Sequence, residues 1–308
     1  MHLSRLRAPC ALLATALLFG LSAAQAQTPI DESRPLAADG TVEISNLKGS
    51  IRITGGTAEG LKLSGELGED AKLVIREQGR GRVEIEVEYP NRSGWGWGGG
   101  SGGDTHLVLE MPAGATLEAT SVSADIEVRS VSGAELSLES VSGSLVLADS
   151  DPRSLQLATV SGSQRIESGA RAIESESVSG EVRITASAAD ELRAETVSGD
   201  LQLSLAQPVR ELRVETVSGS ARIETGLAPG GSLRAETLSG KLEITLPQGT
   251  SARLNAESFS GRIRSAVGEV ETAEYGPGSS LQTTLGDGDG RVQLETFSGG
   301  MEIRLGGR

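Results

Sequence analysis

Acid–base and nucleophilic catalysis both need a proton acceptor held beside the reacting atom, and this chain of 308 residues offers few. It contains two histidines and one cysteine. His2 and Cys10 fall in a segment that reads as a secretory leader, so His106 alone would remain after export. In Thr105-His-Leu-Val-Leu-Glu-Met111, alternation sets His106 opposite Leu107 and Leu109, as expected of an exposed strand residue. Without cysteine, neither a disulfide framework nor a zinc cluster can form. Carboxylates are plentiful, at 42 Asp and Glu. Glycosidase pairs, however, gather irregularly in a cleft, whereas these acids recur at a fixed period. Two stretches resemble calcium loops. Gly99-Gly-Ser-Gly-Gly-Asp104 is a single copy of a motif that works through neighbouring copies, and Asp287-Gly-Asp289-Gly lacks the later EF-hand ligands. The sequence predicts no catalytic, cofactor-binding or metal-binding residue, and the expectation is a protein that is not an enzyme.

What does recur is an outward pair two positions apart: Arg193 and Glu195, Arg213 and Glu215, Arg234 and Glu236. It continues as Asn255 with Glu257 and Gln293 with Glu295. In extended chain such pairs share one face, and strands stacked about 4.8 Å apart would form a glutamate column beside an arginine column. One reading is a salt-bridged solvated face that resists lateral aggregation; the other is a flat charged groove for a glycan or peptidoglycan. Trp95 and Trp97, the only tryptophans, sit in a Gly-rich insert at 94–103. Exposed indoles stack on sugars or enter membrane interfaces; alternatively they fold back on neighbouring strands.

The elements that would position these residues are set by nine copies of [Ser/Thr]-[Val/Leu/Phe]-Ser-Gly. Their glycines are Gly133, Gly143, Gly162, Gly180, Gly199, Gly219, Gly240, Gly261 and Gly299. Gly133 and Gly143 stand half a period apart, the following copies one period, and Gly261 and Gly299 nearly two. In 192–205, Leu192, Ala194 and Thr196 alternate inward before the corner, and Leu201, Leu203 and Leu205 after it. This reads as two short strands joined at a glycine that supplies unusual backbone angles. One such rung buries too little to fold alone, so rungs must stack. The predicted fold is an all-β solenoid with about 19–21 residues per coil. Thr159, Ser177, Thr196, Thr216, Thr237, Ser258 and Thr296 recur before the corners, either as an inward hydroxyl ladder or simply as good strand formers. The small aromatic share of the chain, 2%, also suits a thin stacked core.

Residues 1–26 carry Arg5 and Arg7, an apolar run over 11–21 and an Ala-Gln-Ala cleavage site at 24–26. That run is too short to span a bilayer. The expectation is therefore export to the periplasm or cell surface of a bacterium, with no transmembrane segment in the mature chain. Residues 27–116 read as an N-terminal β-meander cap preceding the array at 117–308. Within the cap, 41–53 is a degenerate rung. Between Gly261 and Gly299 one rung reads as having lost its signature, and 301–305 reads as an end strand with nothing after it. The Val-Ser-Gly rungs, Ala113-Gly-Ala115 and Thr296-Phe-Ser-Gly-Gly-Met-Glu-Ile-Arg304 resemble the secreted β-strand-repeat family called "putative adhesins", a domain of unknown function. That resemblance spans nearly the whole mature chain and implies a solenoid in the cell envelope with no catalytic residues. Bactofilins are similar in rung logic but lack the leader.

The net charge is −14, and it becomes −16 once Arg5 and Arg7 leave. Polyanions such as nucleic acid are excluded as partners by that charge. The functional expectation is a binding or adhesion scaffold presenting a rigid repetitive surface to envelope glycan, peptidoglycan or another envelope protein. A second reading is end-to-end self-association through the strand at 301–305, and a polysaccharide-active enzyme is the third.

Overall fold

The computed structural model describes residues 28–57, 59–90, 103–273 and 277–306. The leader 1–26 and both Trp95 and Trp97 lie outside them. Short runs alternating apolar and polar residues become strands whose side chains point to opposite faces. Among the described residues 27 strands form two long sheets, of 13 and 14 strands, with no helix and no closed barrel. Each coil gives one strand to each sheet, and strands of successive coils run parallel. Glu191–Ser198 lies between Ala172–Ser179 and Val209–Ser218, with Leu192 aligned on Ile173 and Leu212. Across the corner, Leu201–Leu205 lies between Val182–Ala186 and Ala221–Glu224. The register moves forward by one sequence period at each coil, Leu136 aligning on Leu155, Leu155 on Ile173 and Leu212 on Leu233. The chain is an all-β solenoid.

The core is the narrow space between the sheets. It is filled by columns such as Leu117, Leu136, Leu155, Ile173, Leu192, Leu212 and Leu233, all essentially buried. Gln164 interrupts the facing column but is fully partnered. Its amide donates to Thr159 Oγ1 (3.0 Å) and the Glu176 carbonyl (2.8 Å), and its oxygen accepts from Ser175 (2.6 Å). A buried polar group held this way costs little.

The two corners of each coil differ. The corner carrying the repeated motif joins the sheets in a step of constant length, from Leu117 to Ile126, Leu192 to Leu201 and Leu233 to Leu242. Among the coils that carry the motif, all variation in length falls at the other corner. The coil of Arg82–Glu88 and Thr105–Pro112 lacks the motif, and residues 89–104 intervene at its first corner. Gly133 belongs to that second corner, which explains the short first spacing; its neighbour Val131 is fully buried. The glycine rationale also changes. Of the nine motif glycines only Gly180 has a left-handed φ (+144°). At Gly199, Gly219 and Gly240 the position of a Cβ is already occupied by the carbonyl oxygen of the glycine one coil earlier. The residue is required by close backbone approach rather than by backbone angle.

The hydroxyls before these corners point inward and use both kinds of partner. Ser121 donates to Ser140 (2.8 Å) and Thr159 to Ser177 (3.3 Å). Ser140, Ser258 and Thr296 accept from the N–H of Gly143, Gly261 and Gly299. Thr196, Thr216 and Thr237 are buried, and their hydroxyls find no partner among the described residues.

Both ends depart from the order expected of a chain that simply winds onward. Thr41–Asn46 and Gly49–Gly56 form a full coil, placed between the coil of Arg82–Glu88 and Thr105–Pro112 and the coil of Thr116–Ser121 and Asp125–Arg129. Only Thr28–Arg34, Leu61–Leu67 and Lys72–Gln78 pair antiparallel as a cover at that end, so the meander is smaller than the segment 27–116. At the other end Met301–Gly306 lies between Leu242–Pro247 and Ile263–Ser265, and Gly290–Thr296 between Leu227–Ser239 and Ala252–Ser258. The strand expected to be an open end is therefore interior. The supposed degenerate rung is instead a cover made by Glu271–Thr272 and Ser279–Leu285, antiparallel to Ala252–Ser258. Such covers shield edge strands from pairing with other chains.

Candidate functional site

In a parallel stack, residues at the same place in each coil form straight rows about 4.8 Å apart. One row is unusual. The outward residue of this corner is apolar in ten successive coils: Leu47, Val122, Val141, Val160, Val178, Val197, Val217, Leu238, Phe297 and Phe259, in spatial order. All ten are exposed, from 42 % at Leu47 to 62 % at Phe259. The two phenylalanine rings at the far end stack at 4.7 Å between centroids, 6° from parallel. Nothing in the core requires these side chains. Single exposed apolar residues are ordinary, but a contiguous row of ten marks a contact surface.

Beside this row runs a second, two positions earlier in each coil. Its register is Ser45, Thr120, Glu139, Ala158, Glu176, Glu195, Glu215, Glu236, Glu295 and Glu257. From Val141 to Phe259 the two rows line a groove of about 1360 Å³, whose end at Phe259 is lined by Glu271–Thr272 and by the start of Ser279–Leu285. Eight glutamates and no Lys, Arg or His line it among the described residues.

The predicted arginine and glutamate columns are in register. Arg193 donates to Glu195 (2.7 Å), Arg213 to Glu215 (2.5 Å), and Arg234 to Glu236. The hydrogen bond from Arg193 to Glu195 raises the guanidinium above its ordinary pKa, and Glu236 does the same for Arg234. Arg193 also approaches Glu174, and Arg234 approaches Glu295, each at 3.9 Å across coils. These exposed pairs neutralise the middle of the glutamate row. Glu139 and Glu176 have no ion pair among the described residues, and Glu257 is met only by the Asn255 amide (3.0 Å).

Other candidates stand apart from the groove. His106 is exposed, and Ser50 lies 2.9 Å from its Nδ1. No carboxylate holds the ring among the described residues, and the pair lies on an open sheet face, so the arrangement lacks the third group of a catalytic triad. No cluster of ligating side chains forms among the described residues. Asp287 and Asp289 belong to a turn whose N–H groups donate to Ser251 Oγ. The apolar row was visible in the sequence, because the variable position of the motif is always Val, Leu or Phe. Its facing is hidden there, because the motif reads as a turn and a turn residue has no side until the flanking strands are in place.

Fold and surface together define a two-sheet parallel β-solenoid with one apolar edge. A model of the Toastrack DUF4097 family matches residues 113–229. The match agrees with the resemblance to β-strand-repeat proteins read from the Val-Ser-Gly rungs, over a shorter stretch than that resemblance implied. Among solved structures, a "putative lipid binding protein" from Parabacteroides distasonis ATCC 8503 is 13 % identical with a TM-score of 0.50, the alignment covering 90 % of this chain and 96 % of that one. A "putative adhesin" from the same organism is 11 % identical, with 90 % and 97 % covered and a TM-score of 0.45. A "putative adhesin" from Bacteroides fragilis NCTC 9343 is 8 % identical, with 91 % and 98 % covered and a TM-score of 0.40. No curated protein matches the chain.

Proposed function

We propose that this protein is an exported, non-enzymatic binding scaffold of the bacterial cell envelope, acting through a rigid repetitive surface rather than a chemical centre. The observation that carries this reading is the row of ten exposed apolar side chains beside the glutamate row. A two-sheet stack holds that row straight over about 43 Å, taking nine steps of about 4.8 Å. The leader-like segment 1–26 supports export. The solved protein with a TM-score of 0.50 is itself described as lipid binding, which supports a binding role without naming the ligand. Arg193, Arg213 and Arg234 sit one row behind the groove, so the charged columns serve as its border, and Trp95 and Trp97 remain candidates for a second contact.

The test is co-sedimentation of protein lacking only the leader with isolated envelope fractions, beside a protein-only control. Wild type should pellet only with envelope. A variant carrying Val178→Thr, Val197→Thr and Val217→Thr, which keeps β-branched residues on the strand, should stay in the supernatant. Wild-type protein that never pellets would remove the scaffold reading.

A further inference from the structure

The scaffold reading leaves the occupant of the groove open, and three observations narrow it. First, the corner backbone is already used. The N–H of Ser142 donates to Val122 O, Ser161 to Val141 O, Ser298 to Leu238 O and Ser260 to Phe297 O, each one coil away. A ligand lying along the row meets side chains and no ladder of open N–H and C=O groups. An extended peptide, which needs such groups to satisfy its own backbone, has no partner here. An α-helix satisfies its backbone internally.

Second, the spacing suits a helix. Successive apolar side chains lie about 4.8 Å apart, close to the roughly 5.4 Å pitch at which an amphipathic helix repeats its apolar ridge. Third, the charge around the groove has one sign, with eight glutamates and no basic side chain lining it among the described residues. A ligand with an apolar ridge flanked by cations is complementary on both counts. An anionic lipid headgroup is repelled by the same carboxylates, and the one aromatic platform a glycan would meet in the groove among the described residues, the Phe259–Phe297 pair, is already stacked on itself.

We infer that the groove between the Val/Leu/Phe row and the glutamate row receives a cationic amphipathic α-helix of a partner protein. This rests on the scaffold reading and gives it a partner chemistry. The full row would accommodate roughly 28 residues of helix at about 1.5 Å each. Binding buries the helix's apolar face on the corner row, and its Lys or Arg residues reach carboxylates that the arginine column leaves unpaired, Glu139, Glu176 and Glu257.

The experiment uses the leaderless chain and a dye-labelled peptide about five helical turns long, Leu on one helical face and Lys on the other. A second peptide has the same composition with the pattern scrambled, and a third replaces Lys by Glu. Fluorescence anisotropy should give saturable binding of the first peptide alone, weakening as salt is raised. Val178→Thr/Val197→Thr/Val217→Thr should weaken it by at least about tenfold at any salt concentration. Glu139→Gln/Glu176→Gln/Glu257→Gln should weaken it several-fold at low salt and hardly at all at about 1 M, where charges are screened within about 3 Å. Circular dichroism confirms that both variants retain the strand spectrum. Equal binding of the scrambled peptide, or binding unchanged by the valine variant, overturns the inference. So does the absence of peptide binding together with flotation of the protein on phosphatidylcholine vesicles, which would make the occupant a lipid surface. If wild type pellets with envelope yet ignores all three peptides, the helix falls and the scaffold stands.

Discussion

The two corners of each coil do the same mechanical job by different means. At the motif corner the step between sheets is constant wherever the motif occurs, because its glycines lie against backbone carbonyls of the neighbouring coil, Gly143 on Ala124 and Gly219 on Gly199, and no residue can be added without breaking that contact. At the opposite corner the chain closes its core with Val131, Ala170, Ala189 or Val209, all buried, and loops of different length are accepted. The lesson is that constancy at the first corner is a backbone requirement for glycine only. The residue two positions before each of these glycines is Val, Leu or Phe although packing does not demand it, and the proposed contact surface rests on that asymmetry.

Substitutions can break this contrast, and the largest effect should come from the glycines. Gly219→Ala places a methyl on backbone that cannot move without shifting its neighbours, and a loss of about 3 kcal/mol is expected, at the upper end of overpacking costs. Gly226→Ala, at the opposite corner, meets nothing closer than Pro247 at 3.5 Å. It should be neutral or stabilising by about 0.5 kcal/mol. Chemical denaturation of the two variants decides it, and equal losses would dissolve the distinction between the corners. The buried threonines should respond less, and with opposite signs within a single row. Thr216→Val removes a hydroxyl with no partner, so stability should hold or rise by up to about 1 kcal/mol, whereas Thr296→Val strips the Gly299 N–H of its acceptor and should cost about 1 kcal/mol.

The smallest effect belongs to the outer face just past the motif corner. There Lys241 bridges Glu243 and Glu302 across adjacent coils. Hydrogen bonds from Lys241 hold both carboxyls below their ordinary pKa, with Arg222 assisting at Glu243 and Arg304 at Glu302. Depressed carboxyls add stability that is fully present above the unfolded value, near about 4.3, and is lost as the pH falls through the lower folded values. Lys241→Gln should therefore lower the melting temperature slightly at pH 7, by a margin that shrinks as the pH falls below about 4.3 and the carboxyls take up protons. A deficit that persists in acid would show that the lysine acts by packing.

Much of this architecture was legible because period-two alternation survives in every coil. Leu192, Ala194, Leu201 and Leu203 declare their faces without help, and the Arg193–Glu195 spacing placed both columns correctly. Strand order was not legible. Coils with near-identical patterns are interchangeable as neighbours, so nothing in Met301–Gly306 reveals that it slides between two earlier coils. Ser279–Leu285 carries the alternation of a rung and the antiparallel pairing of a cover, and only the partner distinguishes them. Gly133 misled for the opposite reason: the motif is copied where its surroundings are not, and Val131 turns inward. The groove was the largest omission, since a residue at a supposed turn carries no expected facing until the strands on either side are in place.

The interleaved coil at the far end also sets an order in time. Residues 290–306 occupy the slot between two coils formed by earlier parts of the chain, Leu227–Pro247 and Ala252–Ser265. A chain that emerges N-terminus first can wind as far as Leu242–Pro247 and must then wait. The coil carrying Phe259 has no permanent neighbour until the coil carrying Phe297 arrives, and their stacked rings record that late meeting. Once seated, residues 290–306 are hydrogen-bonded on both flanks, so they cannot leave without parting from two neighbouring coils. The stack is fastened from within, like a strap whose tongue is tucked beneath its own last turn.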